Sequence, residues 1–170
     1  MGKPADTVDP SEKNLGKMEG KYLTFALDQE NYGIGIMKIK EIIGMMPITS
    51  VPQTPDFMKG VINLRGKVFP VIDLRLKFGM EAAEWTDRTC IIVVEVEVET
   101  GPDMIGIVVD SVSDVVSIKG EDVETNLTFG KDLDTNYIFG MAKTDGGVKI
   151  LIDIDKVLST NEVTMLKKIV

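Results

Sequence analysis

From residue 21 the chain alternates apolar and polar side chains with a period of two. Leu23, Phe25 and Leu27 fall on one side and Tyr22, Thr24 and Ala26 on the other, the pattern of a strand packed on one face. The DQENYG stretch after it supplies a turn. Strand-like segments then recur at 32–37, 60–64, 67–73, 89–97, 104–109, 112–116, 137–143 and 148–152, separated by Gly, Pro and Asp. Short strands at such spacing predict small barrels or sandwiches rather than βαβ units. Helix is scarce: 73–78 and 153–158 each read as one or two turns opened by an Asp suited to capping. A C-terminal helix is expected over 159–170. There Ser159 and Glu162 have capping-box spacing, and Val163, Leu166 and Val170 lie along the side that docks on the body. Residues 1–20, with Pro4, Pro10 and almost no large apolar side chains, are expected to form a flexible tail.

The chain also resembles itself. GIGIMKIKEII (33–43) aligns with GIVVDSVSDVV (106–116), matching the glycine and setting Glu41 against Asp114. GVINLRGKVFPVIDLRLKF (60–78) aligns with GMAKTDGGVKILIDIDKVL (140–158), pairing Gly60 with Gly140, Gly66 with Gly146, Val68 with Val148 and Asp73 with Asp153. The offsets, 73 and 80, are reconciled by one insertion within 117–139. An internal duplication follows, with repeat units at about 21–79 and 88–158. Each unit is expected to close into a small barrel that shares an extensive interface with the other and leaves a groove between them. Adjacent β-branched pairs such as Ile42–Ile43 and Val108–Val109 require cover on both strand faces, supplied by the other unit or by an amphipathic helix of a partner.

Composition narrows the chemistry. There is no histidine and a single cysteine, Cys90, among 170 residues. Ser-His-Asp and Cys-His nucleophiles, His-ligated metals, a phospho-histidine site and an internal disulfide are therefore all unavailable. Cys90 opens an apolar run and reads as a small buried hydrophobe. A net charge of −8 has the wrong sign for a nucleic-acid binder. No apolar run is long enough to span a bilayer and residues 1–14 lack a secretory signal's apolar stretch, so a cytoplasmic location is expected. Paired carboxylates could serve a hydrolase acting on sugars, but one Trp and three Tyr supply little stacking surface. Gly33-Ile-Gly35 lacks the third glycine of a dinucleotide fingerprint. The Asp132/Asp134 and Asp153/Asp155 pairs lack the pattern of a calcium loop. Two features resist a structural explanation better: the β-branched surplus, and Arg65 in Asn63-Leu64-Arg65-Gly66. A hairpin tip normally holds Gly, Asn or Asp, so this guanidinium is available to a partner carboxylate.

Residues 51–79, VPQTPDFMKGVINLRGKVFPVIDLRLKFG, together with YGIGIMKIKEI, GIVVDSVSDV and LIDIDKVL, closely resemble the CheW family of bacterial chemotaxis coupling proteins. The resemblance runs from about residue 21 to the C-terminus, and its most specific element is GVINLRG-x-x-x-P-x-x-D-L-R. The regulatory domain of the histidine kinase CheA and the receiver-bearing CheV share this domain, but a chain with only a short tail is more similar to the stand-alone coupler. The resemblance implies an all-β fold with minor α: two SH3-like five-stranded β-barrels around a common hydrophobic centre, plus the C-terminal helix. It implies a non-catalytic, cytoplasmic adaptor, monomeric when free, that is recruited to membrane-associated arrays. There it would couple the cytoplasmic tip of chemoreceptors to CheA, with no cofactor, metal, nucleic acid or membrane insertion. Carried over by position, the receptor-binding groove would comprise Ile36, Ile39, Glu41 and Ile42 from the first unit and Val108 and Val109 from the second, with Arg65 beside it. The kinase-binding candidates are Gly60, Gly66, Lys67, Val68 and Pro70, with a second contact near Phe129. The segment VETGPD, 98–103, reads as a lengthened hairpin. The alternatives are a CheW-like kinase-regulatory module in a non-chemotactic pathway and, remotely, an acidic-site hydrolase.

Overall fold

The structure is a computed structural model that describes residues 19–98, 101–125 and 136–169. Most of the tail, Glu99, Phe129 with its loop, and Val170 lie outside them. The alternating segments form β1 (Gly20–Leu27), β2 (Glu30–Gly35), β3 (Ile39–Gly44), β4 (Met58–Leu64), β5 (Lys67–Asp73), β6 (Cys90–Val98), β7 (Gly101–Val109), β8 (Ser111–Ile118), β9 (Val123–Glu124), β10 (Ile138–Thr144) and β11 (Gly147–Ile152). Helices are short: α1 (Leu74–Lys77), α2 (Thr160–Ile169), and 3-10 turns at Ile36–Lys38, Gly120–Asp122 and Ile154–Lys156. β3 did not stand out from the sequence as a separate strand, because the 3-10 turn at Ile36–Lys38 breaks the alternation between it and β2.

The strands make a six-stranded sheet in the order β8-β1-β2-β11-β10-β9 and a five-stranded sheet in the order β3-β6-β7-β5-β4. β2·β11 and β5·β7 pair parallel and the other ladders antiparallel. The two-subdomain SH3-like fold is present, but the sheets are open ladders rather than closed five-stranded barrels. Nor do they divide along the repeat. β1 and β2 belong to the first sheet, β3 to β7 to the second, and β8 to β11 to the first again. The chain passes between sheets at Ile36–Lys38 and at Asp110, so each sheet combines strands from units 21–79 and 88–158.

The duplication is nevertheless visible in the register. Gly33 stands opposite Leu151 in one parallel ladder and Gly106 opposite Val71 in the other. A Cβ on Gly33 would meet Leu151 Cδ2 at 3.1 Å, and one on Gly106 would meet Ile91 Cγ2 at 2.8 Å and Val71 Cγ2 at 3.3 Å. Each repeat thus keeps a glycine where another strand's side chain crosses its backbone. The hairpins β4–β5 and β10–β11 shift register at the equivalent positions, between Met58 and Gly60 and between Ile138 and Gly140.

Adjacent β-branched residues are explained by three apolar layers. Ile92, Val94, Ile107 and Val109 face a central layer shared with Leu23, Phe25, Ile34 and Ile152 of the other sheet. Ile91, Val93 and Val108 face the opposite way, into the curl of the second sheet with Ile62, Phe69 and Val71. Tyr22, Ile118, Ala142 and Leu151 fill the curl of the first. The sheets therefore cover each other, and no partner helix is needed for Val108–Val109. Cys90 is only partly buried; burial pushes its thiol up, against a lowering hydrogen bond at the Val112 backbone.

Both expected Asp caps form. Asp73 Oδ1 accepts from Leu76 N–H at 3.2 Å and Asp153 Oδ1 from Asp155 N–H at 3.0 Å. The capping box opens α2: Ser159 N–H donates to Glu162 Oε1 at 2.8 Å and Glu162 N–H to Ser159 Oγ at 3.2 Å. Lys77 Nζ, above the Phe57 ring, lies 2.8 Å from both Glu162 oxygens and fastens α2 to α1, while Leu166 inserts into the central layer. Burial pushes the Glu162 carboxyl up, but the bonds from Lys77 and Ser159 outweigh it, and the net is below the ordinary carboxylate value. A depressed folded-state value stabilises above the unfolded value and is lost as pH falls through the folded one. Glu162→Gln is therefore expected to cost about 1 kcal/mol near pH 7, the scale of a lost cap. Urea melts should show that difference shrinking towards acid; a difference independent of pH would refute the assignment.

Candidate functional site

Among the described residues β3 is an edge strand, with β6 on one side and no ladder on the other. A register shift between Ile39 and Glu41 turns its side chains to different layers. Ile39 and the preceding Ile36 pack partly on the central layer, and Ile43 packs in the curl of the second sheet. Ile42 stands opposite Ile92, a central-layer residue, but at the sheet edge it remains 44% exposed. Met37, at the corner formed by the 3-10 turn, is 87% exposed. The result is an apolar rim of Ile36, Met37, Ile39 and Ile42 along an open edge, with Lys40 paired to Glu95 at 2.8 Å behind it.

Arg65 reaches this rim from the other edge strand. Leu64 and Lys67 pair across β4 and β5, so Arg65 and Gly66 form a two-residue turn. Their φ values are 52° and 85°, as the twist of a tight hairpin requires. Gly66 adopts such a φ freely, and its N–H donates to Asn63 Oδ1 at 3.0 Å. Arg65 adopts it although residues that carry a Cβ disfavour this region, and left-handed non-glycine residues cluster at functional sites. Its guanidinium donates to Glu41 Oε2, bridging the tip of β4–β5 to β3 across the curl while the side chain stays 70% exposed.

Of the residues expected at a receptor contact, Ile36, Ile39, Glu41, Ile42 and Arg65 therefore come together. Val108 and Val109 do not join them: they are 4% and 0% exposed, in the curl and the central layer respectively. Their β-branched signature reports burial between layers, which alternation in one strand cannot distinguish from a docking face. Met37 was missed, because its exposure depends on the turn that follows β2.

The expected kinase-contact residues divide similarly. Lys67 and Val68 are exposed, and Val68 and Pro70 line an apolar groove of about 280 Å³ with Val96, Met104 and Leu166. Gly60 is buried against the Thr49 backbone and cannot touch a partner. Gly66 shapes the turn. Phe129 lies outside the described residues. The β6–β7 ladder runs two pairs further than that of β1–β2 in the aligned register, to Glu97 with Pro102 and Val98 with Gly101, and Val98 lines the same groove. Among the described residues no acidic or thiol cluster could hold a metal ion, and no helix is long and apolar enough to cross a membrane.

The sequence profile of the CheW-like domain matches residues 21–162. The chemotaxis protein CheW of Klebsiella aerogenes is 40% identical over 158 residues, covering 92% of this chain and 93% of that protein. The chemotaxis protein CheW of Thermotoga maritima is 33% identical over 143 residues, covering 82% and 88%. Among solved structures, the scaffolding protein TtCheW from Thermoanaerobacter tengcongensis superposes with a TM-score of 0.75 at 34% identity, covering 85% of this chain and 96% of that one. With the repeat-related sheets, the docked terminal helix and the NLRG hairpin in place, the chain belongs to the CheW-like domain family.

Proposed function

We propose that this chain is a non-catalytic chemotaxis coupling adaptor, joining the cytoplasmic tip of chemoreceptors to the regulatory domain of the kinase CheA in membrane-associated arrays. The observation that carries this reading is the β3 edge, where an apolar rim lies beside an exposed Arg65–Glu41 pair held on a left-handed turn residue. An amphipathic receptor helix fits such an edge by laying its apolar stripe on Ile36, Met37, Ile39 and Ile42. Arg65 and Glu41 then set register and orientation more than they add affinity. The kinase contact is assigned to the other side of the same hairpin, where Lys67, Val68 and Pro70 border the groove beneath α2. A bridge requires two contact surfaces, and the β3 rim and the groove beneath α2 use different residues.

Sedimentation of CheA with receptor-bearing membranes tests the bridge. CheA is expected to pellet far more efficiently when this protein is present; equal recruitment without it would overturn the reading. Arg65→Asn separates fold from function in that assay. Asn suits the left-handed turn, so stability should hold or rise by up to about 1 kcal/mol, while receptor-dependent recruitment falls.

A further inference from the structure

The chain passes between the sheets at two corners, and both carry the same device with the charges exchanged. At the passage from β7 to β8, Asp110 Oδ2 accepts from Arg75 Nη1 at 2.6 Å and from the backbone N–H of Asp28 at 2.7 Å. Arg75 follows β5 and Asp28 lies in the β1–β2 turn, so the cluster ties the second sheet to the first. At the passage from β2 to β3, Lys38 Nζ lies 2.8 Å from Asp155 Oδ2, and Asp155 Oδ1 accepts from the backbone N–H of Glu97 at 2.9 Å. Asp155 follows β11, the repeat of β5, and Glu97 in β6 aligns with Asp28.

In both corners a carboxylate takes one cation and one backbone N–H, from the β1–β2 turn at Asp28 and from the aligned position in strand β6 at Glu97. At Asp110 the carboxylate sits on the passage and the cation beyond the hairpin; at Asp155 the positions are reversed. A random surface pair would not recur at both crossings with a backbone donor in the same place. Each carboxylate also accepts from a backbone N–H of the other sheet's strand pair, a role beyond that of a simple exposed ion pair.

The two corners differ in what they carry. Lys38 ends the 3-10 turn that holds Ile36 and Met37, and the N–H of Ile39 closes that turn on the Ile36 carbonyl. The rim at the β3 edge is therefore held to the first sheet by Asp155 acting through Lys38. We propose that Asp155 is a positioning residue for the receptor-docking rim: its carboxylate anchors the Ile36–Lys38 turn and sets the angle at which the rim is presented. This rests on the receptor reading of the β3 edge. The Arg75–Asp110 corner holds the opposite crossing and leaves the rim in place.

The test uses the full chain carrying Asp155→Ala, Asp110→Ala, Ile42→Asp, or the charge exchange Lys38→Asp with Asp155→Lys. Three readouts are compared: amide hydrogen exchange at 36–39 and at Glu97, affinity for a receptor-tip fragment, and affinity for the CheA regulatory domain. Asp155→Ala is expected to speed exchange at 36–39 and Glu97, weaken receptor-tip binding at least threefold and leave kinase-domain binding unchanged. The charge exchange should recover most of the binding, because the fold already uses the reversed polarity at the other crossing. Asp110→Ala should speed exchange at Asp28 and spare the receptor affinity. Unchanged exchange at 36–39 in Asp155→Ala would overturn the proposal. So would faster exchange with undiminished receptor binding, provided Ile42→Asp does weaken that binding. If neither Asp155→Ala nor Ile42→Asp affects receptor binding, the receptor reading of the edge fails instead, and the positioning role falls with it.

Discussion

Gly60→Ala is expected to destabilise the protein by about 3–5 kcal/mol, much of the roughly 5–15 kcal/mol that holds a typical domain. Gly60 has a φ of 144°, which side-chain-bearing residues rarely adopt. A Cβ there would lie 2.0 Å from the Thr49 carbonyl oxygen and 2.7 Å from its carbon. Neither atom can rotate away, because Thr49 is locked to Val61 by reciprocal backbone hydrogen bonds of 2.9 Å. Relief requires breaking that bridge, which removes the backbone hydrogen bonds that tie the segment between β3 and β4 to Val61 of β4. Gly44→Ala is the control: nothing lies within 4 Å of its Cβ position, and its stability should stay within about 0.5 kcal/mol of the parent. Urea melts on the three proteins decide the matter. A Gly60→Ala variant within 1 kcal/mol of the parent would show that the chain at Thr49 yields easily. The same geometry explains why Gly60 falls in the most family-specific run of the sequence without being a contact residue.

The second large effect is on binding. Ile42→Asp is expected to weaken receptor-tip affinity at least about tenfold, a loss of some 1.4 kcal/mol. Ile42 has its free area on the intersheet side of an edge strand, so a docking helix would bury it, and a carboxylate there would lose its hydration without gaining a partner. The folded protein should tolerate the change, since the side chain already meets water. Val115 occupies the repeat-related position on β8 and is similarly exposed, at 49%. In the aligned repeat Asp114 and Asp145 stand at the positions of Glu41 and Arg65, so the cation is replaced by a carboxylate. Val115→Asp should therefore leave receptor binding intact. Titration of a receptor-tip fragment against both variants distinguishes them: equal losses would mean that the partner reads both edges, and no loss in either would remove the β3 edge from the receptor site.

Several parts of this structure were legible in the sequence because they are local. The Ser159–Glu162 box, the Asp73 and Asp153 caps and the Arg65–Gly66 turn depend on residues within three or four positions of one another, and each forms as its spacing predicts. The resemblance supplied five residues that do meet at one edge. It failed at Val108 and Val109, whose pattern is the same whether a second sheet or a partner covers them, and at Gly60, where the constraint comes from Thr49 across a strand.

Strand content, the duplication and the absence of histidine chemistry were determined by the amino-acid sequence alone, since periodicity, self-similarity and composition need no partner in space. Only the tertiary structure decided which strands share a sheet. Backbone ladders are indifferent to the repeat from which a strand comes, and the passages at Ile36–Lys38 and Asp110 carry the chain across before either unit can close. The exchange of strands buries both faces of the central β-branched segments, opens the β3 edge, and places Asp155 beside Lys38, 117 positions away in the chain.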